Sequence, residues 1–112
     1  MAFNLTSEIN NGVAKITLSG ELDASVANQF KAAVEQAAAS QAKSLVLLVS
    51  ELAYMSSAGL RALVFAKQKM GAGTTIYVVG AQESVVETIE MTGFSHSVTL
   101  LEAYDAAQIE VA

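Results

Sequence analysis

The chain has no cysteine, which excludes disulfides and thiolate metal sites and removes any sign of an oxidising compartment. No stretch approaches the roughly 18 continuous apolar residues that a membrane-spanning helix requires. The opening residues Met1-Ala2-Phe3-Asn4 lack the basic and then apolar order of a secretion signal, so a cytoplasmic protein is expected. Bases are few and confined. All six lie between Lys15 and Lys69, and beyond them Glu83, Glu87, Glu90, Glu102, Asp105 and Glu110 stand without a Lys or Arg. With a net charge of -5, such a surface repels phosphate backbones, which argues against direct nucleic-acid binding. The acidic face either keeps the protein soluble or steers a basic protein partner.

Chemistry-bearing residues are equally sparse. His96 is the single histidine, in a Gly-Phe-Ser-His-Ser loop, and Asp23 and Asp105 are the two aspartates. No His or carboxylate cluster has ligand spacing, so no metal is expected. The glycines form neither a phosphate loop nor a dinucleotide fingerprint, so no cofactor is expected. A Ser-His-Asp relay has little support, because Ser-Ala-Gly is not the Gly-x-Ser-x-Gly elbow. The sequence reads as a non-enzyme.

What is present is a well-patterned α/β chain. Its 112 residues, 53% hydrophobic, suffice for one domain with a real core, taken here as residues 1–112. Alternation around Phe3, Leu5 and Ile9, and again at Ala14, Ile16 and Leu18, flanks Asn11-Gly12 and predicts an antiparallel hairpin. Val26, Phe30, Val34 and Ala37 recur at helical spacing from about Ala24 to Ala39. Leu45 to Val49 is apolar on both faces, as in a central strand covered on two sides.

A second helix starts near Leu60 and ends near Gly71 and Gly73. Thr75 to Val79 predicts another buried strand. Ser84-Val85-Val86-Glu87 has capping-box spacing and opens a helix through Met91, stopped by Gly93. Val98 to Leu101 reads as a last strand and Glu102 to Gln108 as a terminal helix. The order implies right-handed crossovers in a mixed, mostly parallel sheet of about five strands with about four helices.

Two polar motifs punctuate this pattern. Ser56 and Ser57 lie at the junction between the central strand and the second helix. Ser57 is placed at or just before the first turn, either as an N-cap or as a phosphoacceptor. A helix N-terminus offers free N–H donors and a positive dipole end, so a phosphate there is tolerated while it changes what can dock. Ser56 shares both roles. The second motif is Gly20-Glu21-Leu22-Asp23, where Gly20 suits a turn and Asp23 an N-cap. In a parallel sheet the loop after it lies on the same edge as Ser57, if the two strands are neighbours.

Gly-Glu-Leu-Asp after a strand, an apolar strand, then Tyr54-Met55-Ser56-Ser57-Ala58-Gly59-Leu60-Arg61 opening a helix resembles the STAS domain. More narrowly it is similar to the stand-alone anti-sigma factor antagonists, with the match running through Thr75 to Val79 and the Glu90-Met91-Thr92-Gly93-Phe94 turn. The resemblance implies a partner-switching protein that binds an anti-sigma factor which is itself a serine kinase. By that likeness the kinase phosphorylates Ser57, a serine phosphatase reverses it, and sigma-factor-dependent transcription is the output. Asp23, Ser56, Ala58, Gly59, Leu60 and Arg61 become the implied partner contacts, and no membrane is involved. The alternative is a constitutive STAS scaffold of another signalling or transport complex, with both serines as caps. The chain departs from the family pattern at Ser56, where an aspartate is frequent, and at Leu48, two residues before Ser50, where another is common. Both departures make the rim less negative.

Overall fold

The structure, a computed structural model, describes residues 3–71 and 73–109. β1 (Asn4–Asn10) and β2 (Val13–Leu22) form the expected hairpin. Its two-residue turn needs positive φ at both positions, and Asn11 (51°) and Gly12 (79°) supply them. There follow α1 (Ala27–Ala39), β3 (Ser44–Met55), α2 (Ser57–Met70), β4 (Thr75–Val79), α3 (Glu83–Met91), a 3₁₀ turn (Phe94–His96), β5 (Thr99–Leu101) and α4 (Ala106–Ile109). The sheet runs in chain order, β1-β2-β3-β4-β5, with β1 antiparallel to β2 and all other pairs parallel. This is the mixed, mostly parallel α/β domain that the periodicity predicted.

Because successive strands are neighbours, crossovers of one hand carry every connecting helix to the same face. The packing bears this out. Ile16, Leu18, Leu45, Leu47, Val49, Ile76 and Val78 point into one core with Phe30 and Val34 of α1, Leu63 and Ala66 of α2, and Val85 and Ile89 of α3. Small residues let the helices sit close, with Ala33, Ala37, Ala62 and Ala66 all buried. Among the described residues the opposite face has no such helix layer. There Val13, Val46, Tyr77 and Val79 are covered by Ile109 and Tyr104 of the C-terminal segment, with Lys15 Nζ 4.5 Å from the Tyr104 ring.

Several boundaries differ from the sequence expectation. The central strand does not stop at Val49 but runs on to Met55, beyond the last β4 partner, Leu48 paired with Val79. From Glu51 to Met55 it pairs with β2 alone, and together they form a two-stranded arm. Gly20 is not in a turn; it lies within β2 at φ 88°, between two register shifts in which β3 carries the extra residue, so it stands opposite the bulges that bend the arm. α1 begins at Ala27, not near Ala24, and its N-cap is Val26 rather than Asp23.

The capping box expected from Ser84 to Glu87 does not form. Gln82 is the N-cap and Ser84 is already helical, its hydroxyl donating to the Ala53 carbonyl at 3.0 Å. The last strand is Thr99–Leu101, and the terminal helix starts at Ala106 instead of Glu102, where Asp105 Oδ1 accepts from the N–H groups of Ala107 and Gln108.

Candidate functional site

The β2/β3 arm ends where Leu22 pairs with Met55, and both side chains are buried. Asp23 and Ser56 are the next residues on each strand, so the parallel pairing brings the two sequence motifs to one end of the sheet. The Ser56 N–H donates to the Leu22 carbonyl at 2.9 Å, which fixes the start of α2 against the end of β2. Ser56, not Ser57, is the N-cap. Its backbone is extended (φ -80°, ψ 174°) and its Oγ accepts from Gly59 N–H at 3.2 Å, while its carbonyl accepts from Leu60 N–H. Ser57 is therefore the first helical residue, and its side chain is exposed.

The next residues alternate in accessibility. Ala58 is half-buried, Gly59 and Leu60 are buried, and Arg61 is exposed one turn beyond Ser57. α2 carries no acid, and no ion pair holds Arg61 among the described residues. The N–H groups of Ser57 and Ala58 likewise have no protein partner among the described residues, leaving two donors and the positive end of a 14-residue helix beside an exposed hydroxyl. Leu48 lies within the sheet, against the cluster under the C-terminal segment, so its replacement of an acid bears on that face and not on the start of α2.

Asp23 organises the turn that leads out of β2. Its Oδ1 accepts from the Ser25 hydroxyl at 2.6 Å and the Ser25 N–H at 2.9 Å, and its carbonyl accepts from Val26 N–H. The Ser25 hydroxyl, seconded by the Ser25 N–H, holds the Asp23 carboxyl below its ordinary pKa. It is therefore an anion fixed in direction beside the α2 N-terminus.

Three residues outside the implied partner contacts shape this site: Gln82, which the sequence did not single out, Ser84, expected as a cap, and Tyr54, quoted only as part of the motif. Gln82 Nε2 donates to the Ser50 carbonyl at 2.9 Å, and with Ser84 on Ala53 it ties the start of α3 to the β3 arm. Tyr54, on the same arm and two residues before Ser56, is 48% exposed. An aromatic in a strand has no periodic signal of exposure when a bulge has broken the alternation, so only the fold reveals it.

The remaining candidates do not converge here. His96 is exposed in the turn before β5, hence at the other end of the parallel strands from Ser57. Among the described residues no group of three or more His, Cys, Asp or Glu is placed to hold a metal, and no helix is long and apolar enough to cross a membrane.

Comparison with known structures follows the same architecture. An anti-sigma factor antagonist from Mycobacterium paratuberculosis superposes with a TM-score of 0.85 at 26% identity, over 96% of this chain and 92% of that one. SpoIIAA, an anti-sigma factor antagonist in its unphosphorylated form, gives 0.73 at 19% identity, covering 97% of this chain and 96% of the other. The Bacillus cell fate determinant SpoIIAA in the phosphorylated form gives 0.70 at 20% identity, over 97% of each chain. No curated protein sequence matches. The profile of the STAS domain family matches residues 4–107, which span both motifs and the whole sheet, and the chain belongs to the STAS domain family.

Proposed function

We propose that this protein is a cytoplasmic, non-catalytic anti-sigma factor antagonist that binds a serine kinase/anti-sigma factor and is released when that kinase phosphorylates Ser57. A serine phosphatase would restore binding, and sigma-factor-dependent transcription would be the output. The observation that carries this reading is the division of labour between the two serines. Ser56 is occupied as the cap, whereas Ser57 presents a free, exposed hydroxyl at the first helical position. Phosphate there adds roughly -1.5 to -2 charges beside two free N–H donors, so the helix tolerates it. The docking rim of Asp23, Ser56, Ala58, Gly59, Leu60 and Arg61 then carries bulk and charge that the unmodified surface lacks. The likeness to an antagonist from Mycobacterium paratuberculosis, and to a protein known in both phosphorylated and unphosphorylated forms, supports the same reading.

The test is incubation with a serine kinase of the anti-sigma type from the same genome and ATP, with the modified residue mapped by mass spectrometry. Phosphate is expected on Ser57, Ser57→Ala should block it, and Ser57→Asp should weaken kinase binding. No phosphate on either serine, together with unchanged binding by Ser57→Asp, would leave a constitutive scaffold in its place.

A further inference from the structure

β1 closes the sheet on one side, so one of its two flanks has no strand partner among the described residues. Natural edges of this kind are usually blunted by a lysine, a proline or a bulge. β1 has none of these three, and Glu8 is its one charge: its seven residues, Asn-Leu-Thr-Ser-Glu-Ile-Asn, pair with β2 in unbroken register and are exposed except at Leu5. Ile9 is 41% exposed on this strand, one of three large hydrophobics so placed among the described residues.

The hairpin sets which backbone groups face outward. Asn10 and Val13 flank the two-residue turn and exchange both hydrogen bonds, so Asn4, Thr6, Glu8 and Asn10 aim their N–H and C=O groups at β2. Leu5, Ser7 and Ile9 therefore aim theirs away from the sheet. These three are evenly spaced about Ser7, and that spacing is self-complementary.

We propose that two copies of this chain dimerise through β1, antiparallel about a two-fold axis at Ser7, joining their sheets edge to edge. In this register Ser7 meets Ser7 of the second copy, and Leu5 meets Ile9 of the second copy in both halves. Every outward N–H and C=O of the three residues is satisfied, giving roughly six hydrogen bonds. On the helix-bearing face the two Leu–Ile pairs cover the exposed Ile9 side chains. On the other face Glu8 stands opposite Thr6 and Asn4 opposite Asn10, so no like charges are directly paired. The contact is isologous and closed, which limits assembly to a dimer. It leaves the Ser57 end of the sheet free, because β1 is separated from β3 by β2.

The experiment uses the full chain. Light scattering across a micromolar-to-millimolar series should show the mass rise to twice the monomer value. Ile9→Lys, which puts a charge opposite Leu5 without touching the core, should return it to the monomer with an unchanged circular dichroism spectrum. Since the chain has no cysteine, Ser7→Cys gives a clean register probe: the paired Cα atoms lie about 5.5 Å apart, within disulfide reach, and mild oxidation should crosslink it. Asn10→Cys should not crosslink, its two copies being about 20 Å apart along the strands. A monomer at all concentrations, a dimer that survives Ile9→Lys, or crosslinking of Asn10→Cys in preference to Ser7→Cys would each overturn the proposal.

Discussion

Gly59→Ala should destabilise this protein, although helix propensity taken alone says the reverse. Gly59 is the third residue of α2, where replacing glycine by alanine at an open helical site gains about 1 kcal/mol. Here the site is closed. A Cβ on Gly59 would lie 2.9 Å from the Leu22 Cγ, 2.9 Å from the Leu22 carbonyl oxygen and 3.0 Å from the Met55 Cγ. Both side chains are buried, and the carbonyl oxygen is the acceptor for Ser56 N–H, so none of the three can simply swing aside. Overpacking of this kind costs about 1–3 kcal/mol, and a weakened Ser56–Leu22 hydrogen bond adds about 1 kcal/mol.

The clash outweighs the propensity gain, and a net loss of about 2 kcal/mol is expected. For a chain of this length that corresponds to a fall in Tm of roughly 8 °C. Equilibrium unfolding in urea measures it directly, provided the slope of the transition stays unchanged. Gly73→Ala is the control, because a Cβ there meets nothing within 4 Å. It should be neutral or slightly stabilising. If Gly59→Ala proved as stable as the parent or more so, the close approach of α2 to the end of β2 would be wrong. The reading of Ser56 as a residue locked between them would fall with it.

The serine pair should separate cleanly in stability measurements: Ser56→Ala loses the cap and costs about 1 kcal/mol, while Ser57→Ala changes stability by no more than about 0.5 kcal/mol. Equal losses at both positions would contradict the assignment of the cap. Asp23 gives a pH-dependent test. Its folded-state pKa lies below the unfolded value of about 3.9, so its contribution to stability is complete above that value and lost as pH falls through the folded pKa. Carbon-detected NMR titration should place Asp23 below the usual carboxylate range and show Ser25→Ala raising it; an unmoved Asp23 in that variant would remove the Ser25 hydroxyl as the main cause.

The parts of the fold legible in the sequence are those where local chemistry and tertiary packing agree. Asn11-Gly12 admits one kind of tight hairpin, and Thr75 to Val79 is apolar enough to be nothing but a covered strand. The misplaced boundaries lie where a side chain competes with the backbone. Asp23 and Ser25 make a turn of their own and postpone α1 to Ala27, although the apolar spacing starts earlier. Ser84 has the spacing of a cap, but its hydroxyl finds the Ala53 carbonyl, a partner 31 residues away that no local pattern announces. The β3 arm was hidden for a different reason. Two register shifts, each with an extra residue on β3, flank the Gly20 pairing, and Ser50 and Glu51 are both exposed, so the period-2 signal breaks while pairing with β2 continues.

The same geometry bears on Ser56, one of the two positions at which this chain departs from the family pattern. In the family pattern an aspartate is frequent immediately before the serine proposed here as phosphoacceptor, and in this chain the residue is Ser56. As a feature of sequence the change removes an acid from the proposed docking rim. As a feature of structure it sits at an N-cap, where serine and aspartate accept the same N–H and rank nearly alike. The cap therefore survives the replacement, and with it the displacement of Ser57 to the exposed first turn. What is lost is one negative charge beside the helix N-terminus, worth about 0.3–1 kcal/mol of dipole stabilisation. That loss leaves the positive end of α2 less neutralised, and it falls beside the two free N–H groups that a phosphate on Ser57 would meet.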